Sequence, residues 1–252
     1  MTLLASARVE ALRLTRTGLL FALAAVFAFF GLAGPVLAVH MPELMRSAAG
    51  TEQLTILAAE ATAADGIALF NQSAMQLGLI VAVAVAVTAL GWDARPGSSI
   101  FYRTRVRRLG WLTTPRLIVG LAVVVTCYLA ALGVATVMTT IVIAPPDLSS
   151  VATVGVASSV YLVLAMSIGH LIMAVTRRTA PALAIGTVLM LLLPLLNSVT
   201  ATAAWSPTAL ANATAMTPAE LVWPFVSAAV AIAICVVVAD LVAKRHGVRR
   251  DA

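Results

Sequence analysis

The stretch DARPGSSIFYRTRVRRLGWLTTPR, residues 93–116, decides how the rest of the chain is read. It carries Arg95, Arg103, Arg105, Arg107, Arg108 and Arg116, six of the sixteen Lys and Arg side chains, and lies between two long apolar runs. Arginine at mid-membrane costs roughly 2.5–3.5 kcal/mol even on the lenient insertion scale. Such a segment stays in water at a membrane face while its neighbours cross. The composition agrees, with 62% hydrophobic and 10% charged residues and a mean hydropathy of +1.04 over 252 residues. A soluble domain carries about 25% charged residues. The chain therefore reads as an all-α membrane protein, one transmembrane domain over residues 1–252.

Outward from that stretch lie six hydrophobic runs, residues 18–39, 73–91, 117–144, 151–176, 180–196 and 221–243. Each is near or above the roughly 17–20 residues a helix needs to cross the hydrocarbon core. Helices are required because an unclosed strand leaves backbone groups unpaired in lipid. The run 180–196 is the shortest. Ahead of the first run, residues 1–17 form an interfacial helix. Leu3, Leu4, Ala7, Ala11 and Leu14 share one stripe at helical pitch, and Arg8, Arg13 and Arg16 point elsewhere.

Alternating six spans from a cytoplasmic N-terminus places fifteen cations inside and one, Arg46, outside. The inside set is Arg8, Arg13 and Arg16, the six of the central stretch, Arg177 and Arg178, and Lys244, Arg245, Arg249 and Arg250. That asymmetry follows the positive-inside rule and favours six spans with both ends in the cytoplasm. The net charge of +6 is thereby explained by orientation, without nucleic acid as a partner. Two outer segments are long. Residues 40–72 read as an exposed helical hairpin or cap. Residues 197–220, with Trp205, Pro207 and Pro218, read either as a re-entrant segment packed on protein or as an ordinary external loop.

Residues for chemistry are scarce. No His pair has metal-binding spacing, and Cys127 and Cys235 sit singly in apolar runs, so neither a metal nor a redox cofactor is expected. Ser158 and Ser159 lie about three turns from His170 on one helix, too far for a nucleophile and its base. His170 reads instead as a helix–helix hydrogen-bonding group. Asp240 is the one carboxylate inside a run, spaced to pair with Lys244 at i,i+4. No Gly-Lys pair occurs, so the chain has no phosphate-binding loop of its own and is not expected to be an enzyme.

Within the central stretch, residues 99–112 fit an amphipathic helix. Phe101, Tyr102, Val106, Leu109 and Leu112 span one arc, Arg103, Thr104, Arg107 and Arg108 the other, and Arg105 falls inside the apolar arc. Such a helix lies on the leaflet, or docks its apolar face in a partner's groove and offers its arginines to acidic residues.

The whole plan resembles ABC-2 type transporter permeases, the membrane subunits of bacterial ABC exporters. The resemblance rests on the interfacial helix, the six spans, the basic helical loop after the second span and the semi-apolar outer segment before the sixth. In residues it rests on Asp93 after the second span, Gly97 soon after, and Thr113–Thr114–Pro115–Arg116 where the third begins. Members commonly have Glu and then Gly-Thr at the corresponding places; here Asp93 replaces the Glu and Ser98 follows the Gly. The resemblance implies that residues 98–112 are a coupling helix. Phe101, Tyr102, Arg103, Arg105, Val106, Arg107, Arg108 and Leu109 would dock on a separate ATP-binding subunit, which would hold ATP and Mg. It also implies a second permease subunit, identical or homologous, and a place in the bacterial plasma membrane. The implied activity is export of an amphiphilic substrate such as a drug or antibiotic. A self-powered carrier or channel and a non-catalytic membrane scaffold are the alternatives.

Overall fold

The computed structural model describes residues 3–48, 61–91, 110–198 and 204–248. The described residues are helical, joined by short turns, with no strand among them. Helix α1 (Leu3–Arg16) ends at Gly18, whose φ of 73° lets the chain turn sharply into α2 (Leu19–Ala48). Then come α3 (Ala63–Ala89), α4 (Gly110–Val142), α5 (Leu148–Thr176) and α6 (Thr179–Leu192). Helix α6 runs on into a 3-10 stretch, Leu193–Ser198. A second 3-10 segment, Pro207–Ala215, precedes α7 (Val222–Val248).

Five stretches are long and apolar enough to cross a bilayer: Leu19–Leu44, Ala63–Ala89, Thr113–Val142, Leu148–Thr176 and Val222–Ala243. The protein is a multi-pass membrane protein. The run 180–196 is shorter as a helix than expected, because α6 gives way to 3-10 geometry at Leu193, next to Pro194.

Helix boundaries differ from the sequence reading in a consistent direction: helices outlast their apolar runs. The first span was expected to end at residue 39, yet α2 continues through Pro35 and Pro42 to Ala48. Proline is tolerated inside membrane helices because neighbouring groups re-satisfy the freed carbonyl. The second span was expected from residue 73, yet α3 starts at Ala63. A capping box sets that start: Thr62 Oγ1 accepts from the Asp65 amide, and Asp65 accepts from the Thr62 amide at 2.9 Å. The expected hairpin over 40–72 is thus largely the extended ends of α2 and α3, and residues 49–60 lie outside the described set.

Helix α3 is the axis of the bundle, packed by α2, α4, α5, α6 and the second 3-10 segment. Two glycines seat α2 on its neighbours. A Cβ on Gly34 would stand 2.7 Å from the Phe70 backbone of α3, and one on Gly31 would stand 2.8 Å from the Ala131 carbonyl oxygen of α4. Small residues at such crossings let backbones approach in lipid, where packing rather than water exclusion drives association. Helix α7 touches mainly α5 and the second 3-10 segment, and its row Val226, Val230, Ile234, Val237 and Leu241 stays exposed.

Helix α1 packs on α4 and α2 through Ser6, Glu10 and Leu14, all buried. Leu4 of the expected apolar stripe is 83% exposed instead. The polar row faces protein because Glu10 is neutralised there: Arg13 Nε donates to both its carboxylate oxygens at 3.0 Å.

Candidate functional site

The most elaborate polar arrangement among the described residues centres on Asn71 of α3, which is 1% exposed. Its Oδ1 accepts from Tyr128 Oη of α4 at 2.9 Å and from Ser158 Oγ of α5 at 2.8 Å. Its Nδ2 donates to the Ala211 carbonyl of the second 3-10 segment at 2.7 Å. Two donors on one side and a carbonyl on the other give the amide a single sensible orientation. Tyr128 and Ser158 are fully buried. The Tyr128 ring meets Phe27 edge-on at 5.8 Å and stacks on Phe70 at 5.9 Å. Four separate helices and the 3-10 segment therefore converge on one amide.

The segment it holds is fixed elsewhere too. Thr208 Oγ1 donates to Asn197 Oδ1 at 2.7 Å, and Ser206 Oγ lies 2.6 Å from Thr208 Oγ1. Thr208, Ala209, Leu210 and Ala213 are buried against α3, α5 and α7. Trp205 and Trp223 pack at 4.3 Å between centroids, both half exposed. Of the two readings of 197–220, the described part, residues 204–220, is packed on protein rather than standing free. Asn212 breaks the 3-10 geometry just after the carbonyl that Asn71 binds.

This node holds and positions; it is not arranged to move a proton. Ser158 donates to an amide oxygen, and His170 is on the same helix about three turns away, as the spacing predicts. No group of three or more His, Cys, Asp or Glu side chains is gathered for a metal among the described residues.

At the opposite end of the bundle, a cavity of about 60 Å³ lies between Leu90 of α3, Thr114 of α4, His170 and Arg177 of α5, and Asp240 of α7. His170 is 7% exposed, and its Nδ1 has no partner among the described residues. The helix–helix bond expected of His170 is not made at that nitrogen. Asp240 lines the cavity; the side chain of Lys244, its expected partner, lies outside the described set. Arg177 caps α5 in the left-handed region at φ 54°, its amide donating to the Met173 carbonyl.

Two acidic groups outside the spans are tuned by local donors. Asp147 caps α5, accepting from the amides of Ser149 and Ser150 and from both hydroxyls, which pull its carboxyl down to about 2. Glu220 accepts from the Thr217 amide at 2.8 Å, which also lowers its carboxyl.

The docking residues expected from sequence, Phe101, Tyr102, Arg103, Arg105, Val106, Arg107, Arg108 and Leu109, all lie outside the described residues. The sequence reading did not single out Asn71, because the expected span began two residues after it. A lone Asn beside a 20-residue apolar run was the available signal, since such polar groups find partners inside bundles. In comparisons with known proteins, no family profile, no characterised protein and no solved structure matches the chain.

Proposed function

We propose that the chain is the permease subunit of an ATP-driven exporter of the ABC-2 type. In this reading it has six spans with both ends in the cytoplasm, and a separate ATPase docks on residues 98–112. The exported substrate is amphiphilic, of drug or antibiotic character. A second permease subunit completes the path.

One observation carries the reading. The basic segment is suspended between two packed helices, since α3 ends at Ala89 and α4 begins at Gly110, and both ends lie in the same corner as Arg177. Motion of a partner bound there would be transmitted into α3, the axis of the bundle. At the other end, α3 holds the 3-10 segment through Asn71. A push at one end of α3 thus has a mechanical route to a closure at the other.

Reversing charge with Arg103→Glu, Arg107→Glu and Arg108→Glu together tests the docking. The expected outcome is loss of co-purification with an ATP-binding subunit and loss of ATP-dependent export. A triple variant that keeps both would end the reading. Gradient-driven flux by the chain alone in liposomes would favour a self-powered carrier instead.

A further inference from the structure

We infer that the cavity between the ends of α3, α4, α5 and α7 binds the headgroup of an aminophospholipid from the adjacent leaflet. This inference does not depend on the exporter reading. Depth is the first ground. The apolar stretches of these four helices end at Ala89, Thr113, Thr176 and Ala243. The cavity is lined by Leu90, Thr113, Arg177 and Ala243, each at or within one residue of those ends. It therefore lies at the level where hydrocarbon gives way to headgroups.

The lining chemistry is the second ground. His170 is more than nine-tenths buried and presents an Nδ1 with no partner among the described residues. A buried polar atom left unpaired costs about 1–3 kcal/mol unless something fills the site. Thr114 adds a hydroxyl, Arg177 a positive charge and Asp240 a negative one, over an apolar wall of Leu117, Met173 and Val236. A group carrying only one sign of charge would meet a like charge from Arg177 or Asp240. A phosphate joined to a primary ammonium meets both with the favourable sign. The ammonium can donate hydrogen bonds to Asp240, which the methylated amine of phosphatidylcholine cannot. The enclosed volume of about 60 Å³ is about two waters' worth, so it takes one polar group while the glycerol and chains lie along the helix ends.

The test uses the full chain in lipid nanodiscs of phosphatidylcholine alone, or with an equal part of phosphatidylethanolamine or of phosphatidylglycerol. Thermal unfolding of the wild type is expected to shift up by about 3 °C with the ethanolamine lipid, as for a ligand that binds only the folded form. Asp240→Asn and His170→Leu are each expected to abolish that shift. The His170→Leu variant removes a ring nitrogen that has no partner, so it should melt in phosphatidylcholine no lower than wild type. This keeps the test sound if the Asp240 variant fails to fold. Equal wild-type midpoints with and without the ethanolamine lipid would overturn the inference. So would retention of the shift in His170→Leu, or an equal shift from phosphatidylglycerol.

Discussion

Tyr128 donates its hydroxyl to Asn71 Oδ1 at 2.9 Å, joining residues 57 positions apart in sequence across the α3–α4 contact. Because Ser158 shares the same oxygen and Asn71 in turn donates to Ala211, removing this one amide strands three groups at once. Helix–helix hydrogen bonds in membranes average about 0.6 kcal/mol and reach about 1.7. Asn71→Leu should therefore destabilise the bundle by about 2–5 kcal/mol, three bonds' worth. Tyr128→Phe should cost about 0.6–1.7 kcal/mol, since Ser158 still satisfies the oxygen. Detergent unfolding curves of the two variants check the ratio; a Tyr128→Phe effect as large as that of Asn71→Leu would contradict the shared-acceptor geometry.

The two ends of the size scale for glycine are both present. Gly34 has the Phe70 backbone 2.7 Å from where a Cβ would sit, and that backbone cannot rotate away. Gly133, in α4, has nothing within 4 Å. Gly34→Ala should cost about 1–3 kcal/mol, the usual cost of overpacking a tight contact. Gly133→Ala should be neutral or slightly stabilising, as alanine favours the helix. Melting temperatures of the two variants side by side decide the matter, and equal midpoints would mean that α2 does not approach α3 as closely as described.

Asp147 links pH to the start of α5. Its carboxyl is drawn from the ordinary 3.8 down to about 2 by the Ser149 and Ser150 hydroxyls and then their amides. A folded-state value below the unfolded one means the charged cap stabilises above the unfolded value and is lost as pH falls through the folded one. The cap is therefore fully present above about pH 4 and gone near pH 2. Amide exchange at Ser149, Ser150 and Val151 should accelerate across that window. In Asp147→Asn, which keeps an acceptor but cannot titrate, the acceleration at these amides should vanish. Identical acid profiles for the two proteins would show that the cap is not what responds.

Much of the fold is legible as hydrophobic length, because in lipid the backbone must bond within its own segment and an apolar run of sufficient length has few other options. Helix ends are less so. The start of α3 is set by Thr62 and Asp65, a capping signature readable in the sequence but overridden when only apolar residues are counted. The buried face of α1 goes further against pattern: Glu10 turns inward because Arg13 neutralises it, a pairing that a stripe of leucines does not announce. The polar node is the least legible. Its partners are 57, 87 and 140 residues from Asn71, and no local rule links positions so far apart. His170 and Asp240 stood out singly by chemistry, while their common cavity appears only once α5 and α7 are packed.

The sixth crossing hinges on α6. Its 14 helical residues rise about 21 Å at 1.5 Å each, short of the roughly 30 Å hydrocarbon core. The following 3-10 stretch of 6 residues adds about 12 Å at 2.0 Å each. Together they reach about 33 Å, enough to cross. Leu191, Leu192 and Leu195 are exposed along the way, a surface suited to lipid and costly in water. If the combined element crosses, Arg178 and Trp205 lie on opposite faces of the membrane. Single cysteines at those two positions, in a chain with Cys127 and Cys235 replaced by alanine, report this directly. A membrane-impermeant maleimide applied to intact cells should label position 205 and leave position 178 unlabelled until the membrane is broken. Labelling of both before lysis, or of neither, would place the two ends of α6 and its extension on one side and reduce the crossings to the five long helices.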